Sequence, residues 1–204
     1  MISHLAKRSL FISGIFFALA ASNLAAQSVT VMGTAEEARA CMSGAELAAN
    51  MRVGSRSDLK ACDYAIENSK LSRRDLAATY TNRGVINTAM RRYQQAFEDY
   101  NLAIDLMPKL PEPYVGRGNV YFLAERLGEA IEDYTRAMDL GLGRTHLALL
   151  NRGMAYEAQG HLQQAETDYR EAVTFAPEWP LAQQKLESLV SRRHNHAEET
   201  GQNN

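Results

Sequence analysis

The sequence predicts an all-α fold of stacked helix pairs, an α-solenoid, and two observations lead to this prediction. Gly84, Gly118 and Gly153 mark three copies of one phrase, and they lie 34 and 35 residues apart. After each glycine, two alanines and a tyrosine recur at the same offsets. A period of this length is typical of one helix-turn-helix repeat, which buries its apolar face only by stacking on a neighbour.

Each repeat divides into two amphipathic helices, called helix A and helix B here. In repeat 1 the pattern predicts helix A over residues 77–90 and helix B over residues 93–106. The apolar positions of this helix B follow the 3.6-residue helical period and form one stripe: Ala96, Tyr100, Ala103 and Ile104. The same stripe recurs in repeats 2 and 3, so each helix B is predicted to pack on its own helix A.

The repeated glycines lie inside the predicted helix A, where each costs about 1 kcal/mol relative to alanine. Repetition of this cost predicts that helix B crosses at the glycine and leaves no room for a side chain. Pro108 and Pro177 are predicted to end helix B in repeats 1 and 3, because proline cannot continue a helix.

The pattern resembles the tetratricopeptide repeat family over residues 77–179. The glycine, the helix-B tyrosine and the two alanines stand at the positions that the family uses. The closing proline does so in repeats 1 and 3, whereas repeat 2 has Leu142 in its place. The resemblance implies a right-handed solenoid of antiparallel helix pairs, with repeats at 77–110, 111–145 and 146–179. It also implies that ligands bind in a concave groove lined by the A helices.

One departure from the family is consistent. The large apolar residue expected before the glycine is arginine in every repeat: Arg83, Arg117 and Arg152. Each repeat also carries an aspartate just before the helix-B tyrosine: Asp99, Asp133 and Asp168. The shared period predicts a structural ladder in which these arginines pair with those or neighbouring carboxylates. The alternative is that the guanidinium groups reach into the groove and grip an acidic peptide end.

Mapping the family's groove onto this chain implies a peptide-binding surface on the concave face of the A helices. Its predicted residues are Asn82, Val85, Thr88, Asn119, Phe122, Leu123, Asn151, Met154 and Glu157, with Glu112 at the start of the helix A of repeat 2. The asparagines suit a peptide backbone. The cations with which some members clamp a terminal carboxylate are missing, so such a clamp is not expected. The alternative for each residue is solvated surface.

The segments that flank the repeats are weaker matches. Residues 27–76 are predicted to form a degenerate helical pair, with a helix over 35–51 and a turn over 71–75 leading into repeat 1. Residues 180–193 have one apolar stripe and are predicted to form the capping helix that a solenoid needs. The polar residues 194–204 are predicted to be disordered.

Residues 1–26 have the order of a secretory signal, with Lys7 and Arg8, then an apolar run, then small residues. Cleavage is predicted after Ala26, with Ala20 as the competing site. The alternative is an uncleaved membrane anchor. Export favours a disulfide between the two cysteines, Cys41 and Cys62, whereas in the cytosol they would be buried thiols. The predicted location is periplasmic or secreted.

The composition, 46% hydrophobic and 23% charged with a net charge of −2, gives no basic patch for a nucleic acid. No catalytic motif, cofactor motif or metal-ligand pattern is found. The predicted function is therefore a non-enzymatic scaffold that binds a protein or peptide, with no membrane contact after signal cleavage and a monomer favoured. The alternatives are a self-assembling structural subunit of the envelope and an accessory regulator of a cell-wall enzyme.

Overall fold

The structure is a computed structural model that describes Thr30 and residues 35–201. The predicted signal sequence lies outside these residues. All regular secondary structure in the described part of the chain is α-helical, as predicted. The helices are α1 (Glu36–Met51), α2 (Arg56–Asn68), α3 (Arg73–Ala89), α4 (Tyr93–Leu106), α5 (Glu112–Leu123), α6 (Leu127–Asp139), α7 (Thr145–Ala158), α8 (Leu162–Phe175) and α9 (Pro180–Gly201).

The chain divides into two compact units, which meet in sequence between Pro108 and Lys109. In the N-terminal unit, α1 packs against α2 and α3, and α3 packs against α4. In the C-terminal unit, each of α5 to α8 packs against the next helix along the chain. The predicted repeats correspond to the pairs α3/α4, α5/α6 and α7/α8.

A disulfide joins the first helix pair, as the sequence predicts. Cys41 of α1 and Cys62 of α2 are fully buried, and their Cα atoms lie 4.7 Å apart. Around this disulfide, alanines of α1 pack against Val85 and Ile86 of α3. Since these alanines are small, α1 and α2 approach closely and the cysteines occupy the centre of their interface.

Side-chain caps set the start of two helices in the N-terminal unit. A capping box begins α2: the Ser55 hydroxyl accepts the Asp58 N–H at 3.1 Å, and the Asp58 carboxylate accepts the Ser55 N–H at 3.0 Å. The Ser72 hydroxyl accepts the Asp75 N–H at 3.1 Å. Because Ser72 caps α3, this helix begins at Arg73, inside the segment 71–75 that was predicted to be a turn.

The glycine of each repeat faces a tyrosine of helix B. A Cβ built on Gly84 would lie 2.7 Å from Cε1 of Tyr100. The corresponding distances are 2.8 Å from Gly118 to Tyr134 and 2.7 Å from Gly153 to Tyr169. A contact this short would force the tyrosine out of place, so the prediction that helix B leaves no room at the glycine is confirmed.

The last helix extends beyond its predicted end. A capping helix was expected over 180–193 and disorder over 194–204, whereas α9 runs from Pro180 to Gly201. The sequence has no proline or glycine between these two residues, so nothing in it stops the helix earlier. Residues 202–204 lie outside the described residues.

Candidate functional site

Each arginine that precedes a repeat glycine forms a bidentate ion pair with the aspartate 16 residues later. Nε and Nη2 of Arg117 donate to the two carboxylate oxygens of Asp133, both at 2.8 Å. Arg152 binds Asp168 in the same way at 2.9 and 2.8 Å, and Arg83 binds Asp99 at distances down to 2.6 Å. We call these three pairs the Arg–Asp ladder.

Arg83 and Arg152 of the ladder also reach the preceding helix B. Nη1 of Arg83 donates to Asp63 of α2 at 2.7 Å, and Nη1 of Arg152 donates to the Thr135 hydroxyl of α6 at 3.0 Å. The arginine side chains are only 19–23% exposed. The guanidinium groups are therefore engaged within the protein, in the structural arrangement rather than in a grip on an acidic peptide.

Burial dominates the electrostatics of two ladder aspartates, Asp99 and Asp133. It raises the pKa of the Asp99 carboxyl above its ordinary value, although hydrogen bonds from Arg83 and Asn87 act in the opposite direction. Burial likewise raises the pKa of Asp133, against the effect of Arg117. These carboxylates therefore depend on their arginine partners to stay charged inside the protein.

The hydroxyl of each buried helix-B tyrosine has a hydrogen-bond partner on the helix A of the same repeat. The Tyr100 hydroxyl lies 3.2 Å from the Thr88 hydroxyl, and the Tyr134 hydroxyl donates to Oδ1 of Asn119 at 2.8 Å. The Tyr169 hydroxyl donates to Oε2 of Glu157 at 2.5 Å. Thr88, Asn119 and Glu157 were all predicted to bind a peptide, so three of the predicted groove residues have a structural bond.

The other predicted groove residues are mostly packed inside their units. Buried side chains, in addition to Thr88 and Asn119, are Asn82, Val85, Phe122, Asn151 and Met154. Leu123 is partly exposed, whereas only 5% of the Glu157 side chain is exposed. In the N-terminal unit Val85 belongs to the core under α1. In the C-terminal unit the Asn151 amide donates to Oδ1 of Asn119 at 3.0 Å, which joins α7 to α5.

Glu157 lies at the centre of a charge cluster that the sequence analysis missed. Its carboxylate accepts the Tyr169 hydroxyl, pairs with Arg192 of α9 and lies 3.9 Å from Nζ of Lys185. Burial, aided by the nearby carboxylate, raises the pKa of Tyr169, so its hydroxyl remains a donor at neutral pH. The sequence feature that could have indicated this cluster is the row of cations on α9, which includes Lys185 and Arg192. Nothing within a single repeat indicates which carboxylate they bind.

Two polar atoms on α5 are buried without any hydrogen-bond partner among the described residues. They are Nδ2 of Asn119 and Oε2 of Glu112. Asn119 is only 6% exposed, and its Oδ1 accepts from both Tyr134 and Asn151. The unused half of this amide is thus a donor, whereas the unused Glu112 oxygen is an acceptor.

Other candidate sites offer less chemistry. Among the described side chains, no group of three or more His, Cys, Asp or Glu could hold a metal ion. A depression of about 280 Å³ in the N-terminal unit is lined by Asp63, Arg83 and Asp99, which already pair with one another. Of the helices described, none is both long and apolar enough to span a membrane.

Comparison with known proteins identifies the family. Two models of the tetratricopeptide repeat match this chain, one over residues 77–110 and the other over residues 109–178. The chain therefore belongs to the tetratricopeptide repeat family, and its fold is of the type found in protein-interaction scaffolds. A search of curated proteins finds no match.

Two solved structures share the fold at low sequence identity. The Arabidopsis OM64 TPR domain is 21% identical with a TM-score of 0.56, covering 59% of this chain and 99% of that one. MamA from Desulfovibrio magneticus RS-1, from residue 41 to its end, is 16% identical with a TM-score of 0.62, covering 83% of this chain and 92% of that one. At these identities the likeness concerns the fold alone.

Proposed function

We propose that this protein is a non-enzymatic scaffold of the periplasm or cell envelope that binds a peptide or protein on the helix-A surface of its C-terminal unit. Family membership supports an interaction role, because tetratricopeptide repeats are generally protein-binding modules without a reaction of their own. The disulfide between Cys41 and Cys62 supports an oxidising compartment.

The observation that carries the binding proposal is the unpaired Nδ2 of the Asn119 amide, which is a hydrogen-bond donor. A buried donor without an acceptor costs about 1–3 kcal/mol. A backbone carbonyl of a bound peptide would supply the missing acceptor. Phe122 and Leu123 follow on the same helix, and Leu123 keeps part of its side chain exposed for an apolar contact.

The test compares leucines inside and outside this surface. Immobilised protein captures partners from a cell-envelope extract, alongside the variants Leu123→Gln and Leu102→Gln. Leu102 of α4 is 43% exposed and serves as the matched control. We expect the Leu102 variant to recover the wild-type partner fully, and the Leu123 variant to recover about a tenth as much. Equal recovery by both variants would sink the proposal.

Self-assembly is the second candidate, and the end of α1 favours it. Leu47, Met51 and Val53 are 50%, 65% and 64% exposed, and together they leave apolar surface in water. Sedimentation at increasing protein concentration, with Leu47→Gln as the comparison, separates the two functions. A monomer at every concentration excludes self-assembly, whereas association that Leu47→Gln abolishes supports it.

A further inference from the structure

The two unpaired atoms of α5 lie on one face of this helix. Glu112 and Asn119 are seven residues apart, which is close to two full turns of an α-helix. The two residues are therefore aligned along the helix, with a rise of about 10.5 Å between them along its axis. One offers a buried carboxylate oxygen and the other a buried amide N–H, and neither has a partner in the part of the chain that the structure describes.

The chemistry of this pair specifies its complement. A carboxylate accepts hydrogen bonds and carries negative charge, so a cationic donor satisfies Glu112 best. The Asn119 N–H requires an acceptor, which a carbonyl oxygen provides. Within the C-terminal unit, seven cationic side chains pair with carboxylates other than Glu112, so they do not supply its donor. They are Arg117, Arg126, Arg152, Arg170, Lys185, Arg192 and Arg193.

The spacing fits a polypeptide. An extended chain advances about 3.3 Å per residue, so about three residues span the distance from Glu112 to Asn119. A metal ion would satisfy only the carboxylate and has nothing to accept the amide N–H. A peptide supplies a cationic side chain and a backbone carbonyl together.

We propose that α5 recognises an extended, basic peptide, which places a lysine or arginine at Glu112 and a backbone carbonyl about three residues away at Asn119. This inference rests on the proposed function and gives the partner its charge. The charge of this partner is opposite to that of the acidic peptide considered for the arginines. Those arginines are paired with the ladder aspartates instead.

The experiment selects ligands without assuming their sequence. A phage-displayed library of random peptides of about 12 residues, long enough to cover this face, is selected on the protein. The selected peptides are synthesised, and their affinities are measured for the wild type, Glu112→Gln, Leu123→Gln and Glu178→Gln. Glu178 is an exposed glutamate of the same unit and outside this face, so it is the matched control. Circular dichroism verifies that the variants fold.

We expect the selected peptides to carry lysine or arginine at a fixed position. Glu112→Gln should weaken their binding about tenfold, and Glu178→Gln should leave it unchanged. Replacing the peptide lysine with norleucine should weaken binding to the wild type by a similar factor and have no further effect on Glu112→Gln. This coupling is what direct contact between the two groups requires.

Two results overturn the inference, and they differ in what they leave standing. Peptides whose binding falls with Leu123→Gln but shows no preference for basic residues contradict the basic partner and leave the proposed binding surface intact. Selection of no peptide, or of peptides that ignore both Glu112 and Leu123, contradicts the basic partner and the proposed function together.

Discussion

At the residue scale, the arginine before each repeat glycine has two roles. The guanidinium of Arg152 binds both oxygens of Asp168, and it also lies over the ring of Tyr156 at 5.9 Å. Arg83 and Arg117 lie over Tyr80 and Tyr114 in the same way. A long side chain can bury its stem and still pair its charge, which explains how arginine stands where the family has an apolar residue.

Removing one partner of a ladder pair should destabilise the protein more than replacing both partners with apolar residues. Arg152→Leu leaves the Asp168 carboxylate buried and unpaired, at 4% exposure, and we expect a loss of about 3–5 kcal/mol. The double variant Arg152→Leu with Asp168→Leu should regain most of this loss, because apolar groups then replace both charges. Urea unfolding measures the free energies.

The surface pair of Arg126 and Glu129 is the control for this cycle, since both side chains are largely exposed. Arg126→Leu should unfold at nearly the wild-type urea concentration. A double variant that is no more stable than Arg152→Leu would contradict the view that the unpaired charge causes the loss.

His146 and Trp179 provide an optical report of protonation. Their rings meet edge to face with centroids 5.4 Å apart, and Trp179 is the single tryptophan of the chain. Burial, aided by Arg144, lowers the pKa of His146 below its ordinary 6.5. Because the folded-state pKa is depressed, the stability contributed by the neutral ring is lost as the pH falls through that pKa.

We therefore expect Trp179 fluorescence to titrate with a midpoint below 6.5, and stability to fall across the same range. His146→Gln should remove the fluorescence transition while the spectrum of folded protein is retained. A midpoint at or above 6.5 would mean that the imidazole is not held in its neutral form by burial.

At the element scale, the disulfide compensates for a weak first helix pair. The α1–α2 interface consists largely of alanines and lacks the tyrosine that fills each repeat. The linkage closes a loop between positions 21 residues apart, which contributes about 3 kcal/mol in the chain-entropy model. This pair therefore depends on a covalent bond where the repeats depend on packing.

Removing the disulfide should loosen α1 and α2 selectively. The variant with Cys41→Ala and Cys62→Ala should lose about 3 kcal/mol, and its amide exchange should rise in α1 and α2. Exchange in α7 and α8, which belong to the other compact unit, serves as the internal reference. A uniform rise over all helices would show that the pair is not a separate element of stability.

Helix positions follow from the sequence where side chains repeat, and less well where a single residue decides. In repeat 1 the period predicts helix B over 93–106, as observed, and the end of helix A to within one residue. The start of α3 depends on one hydroxyl. Ser72 caps the helix by accepting the Asp75 N–H, so the segment that was expected to be a turn forms the first turn of α3. The end of α9 depends on the absence of a stop signal, which a polar composition conceals.

At the scale of the whole molecule, the fold was predictable and most of the surface was not. The repeated glycine, alanines and tyrosine predict how the two helices of a repeat pack. The Arg–Asp spacing predicts the ion pair within each repeat. Val85 is buried by α1, and Glu157 by contacts with α9. Both helices lie outside the three repeats, so no pattern internal to a repeat indicates what covers these residues.

Stability should also be local at this scale, because stacked repeats contact mainly their neighbours. In Gly153→Ala the new methyl would meet the Tyr169 ring, and we expect a loss of about 1–3 kcal/mol. Hydrogen exchange should rise in α7 and α8 and stay at its wild-type rate in α1 and α2.

Gly128→Ala is the matched control, since a Cβ at Gly128 meets no atom within 4 Å and α6 gains a better helix former. This variant should be at least as stable as the wild type. Equal losses from both substitutions would refute the steric explanation for the repeated glycine.

The 16-residue separation of each Arg–Asp pair has a consequence for how such a chain changes over generations. Both partners are encoded within the same repeat, so a duplication or deletion of one whole repeat carries complete ion pairs with it and orphans no buried aspartate. A gene of this kind can lengthen or shorten in steps of one repeat without a simultaneous compensating substitution elsewhere. The permitted unit of insertion is thus set by electrostatics as well as by packing.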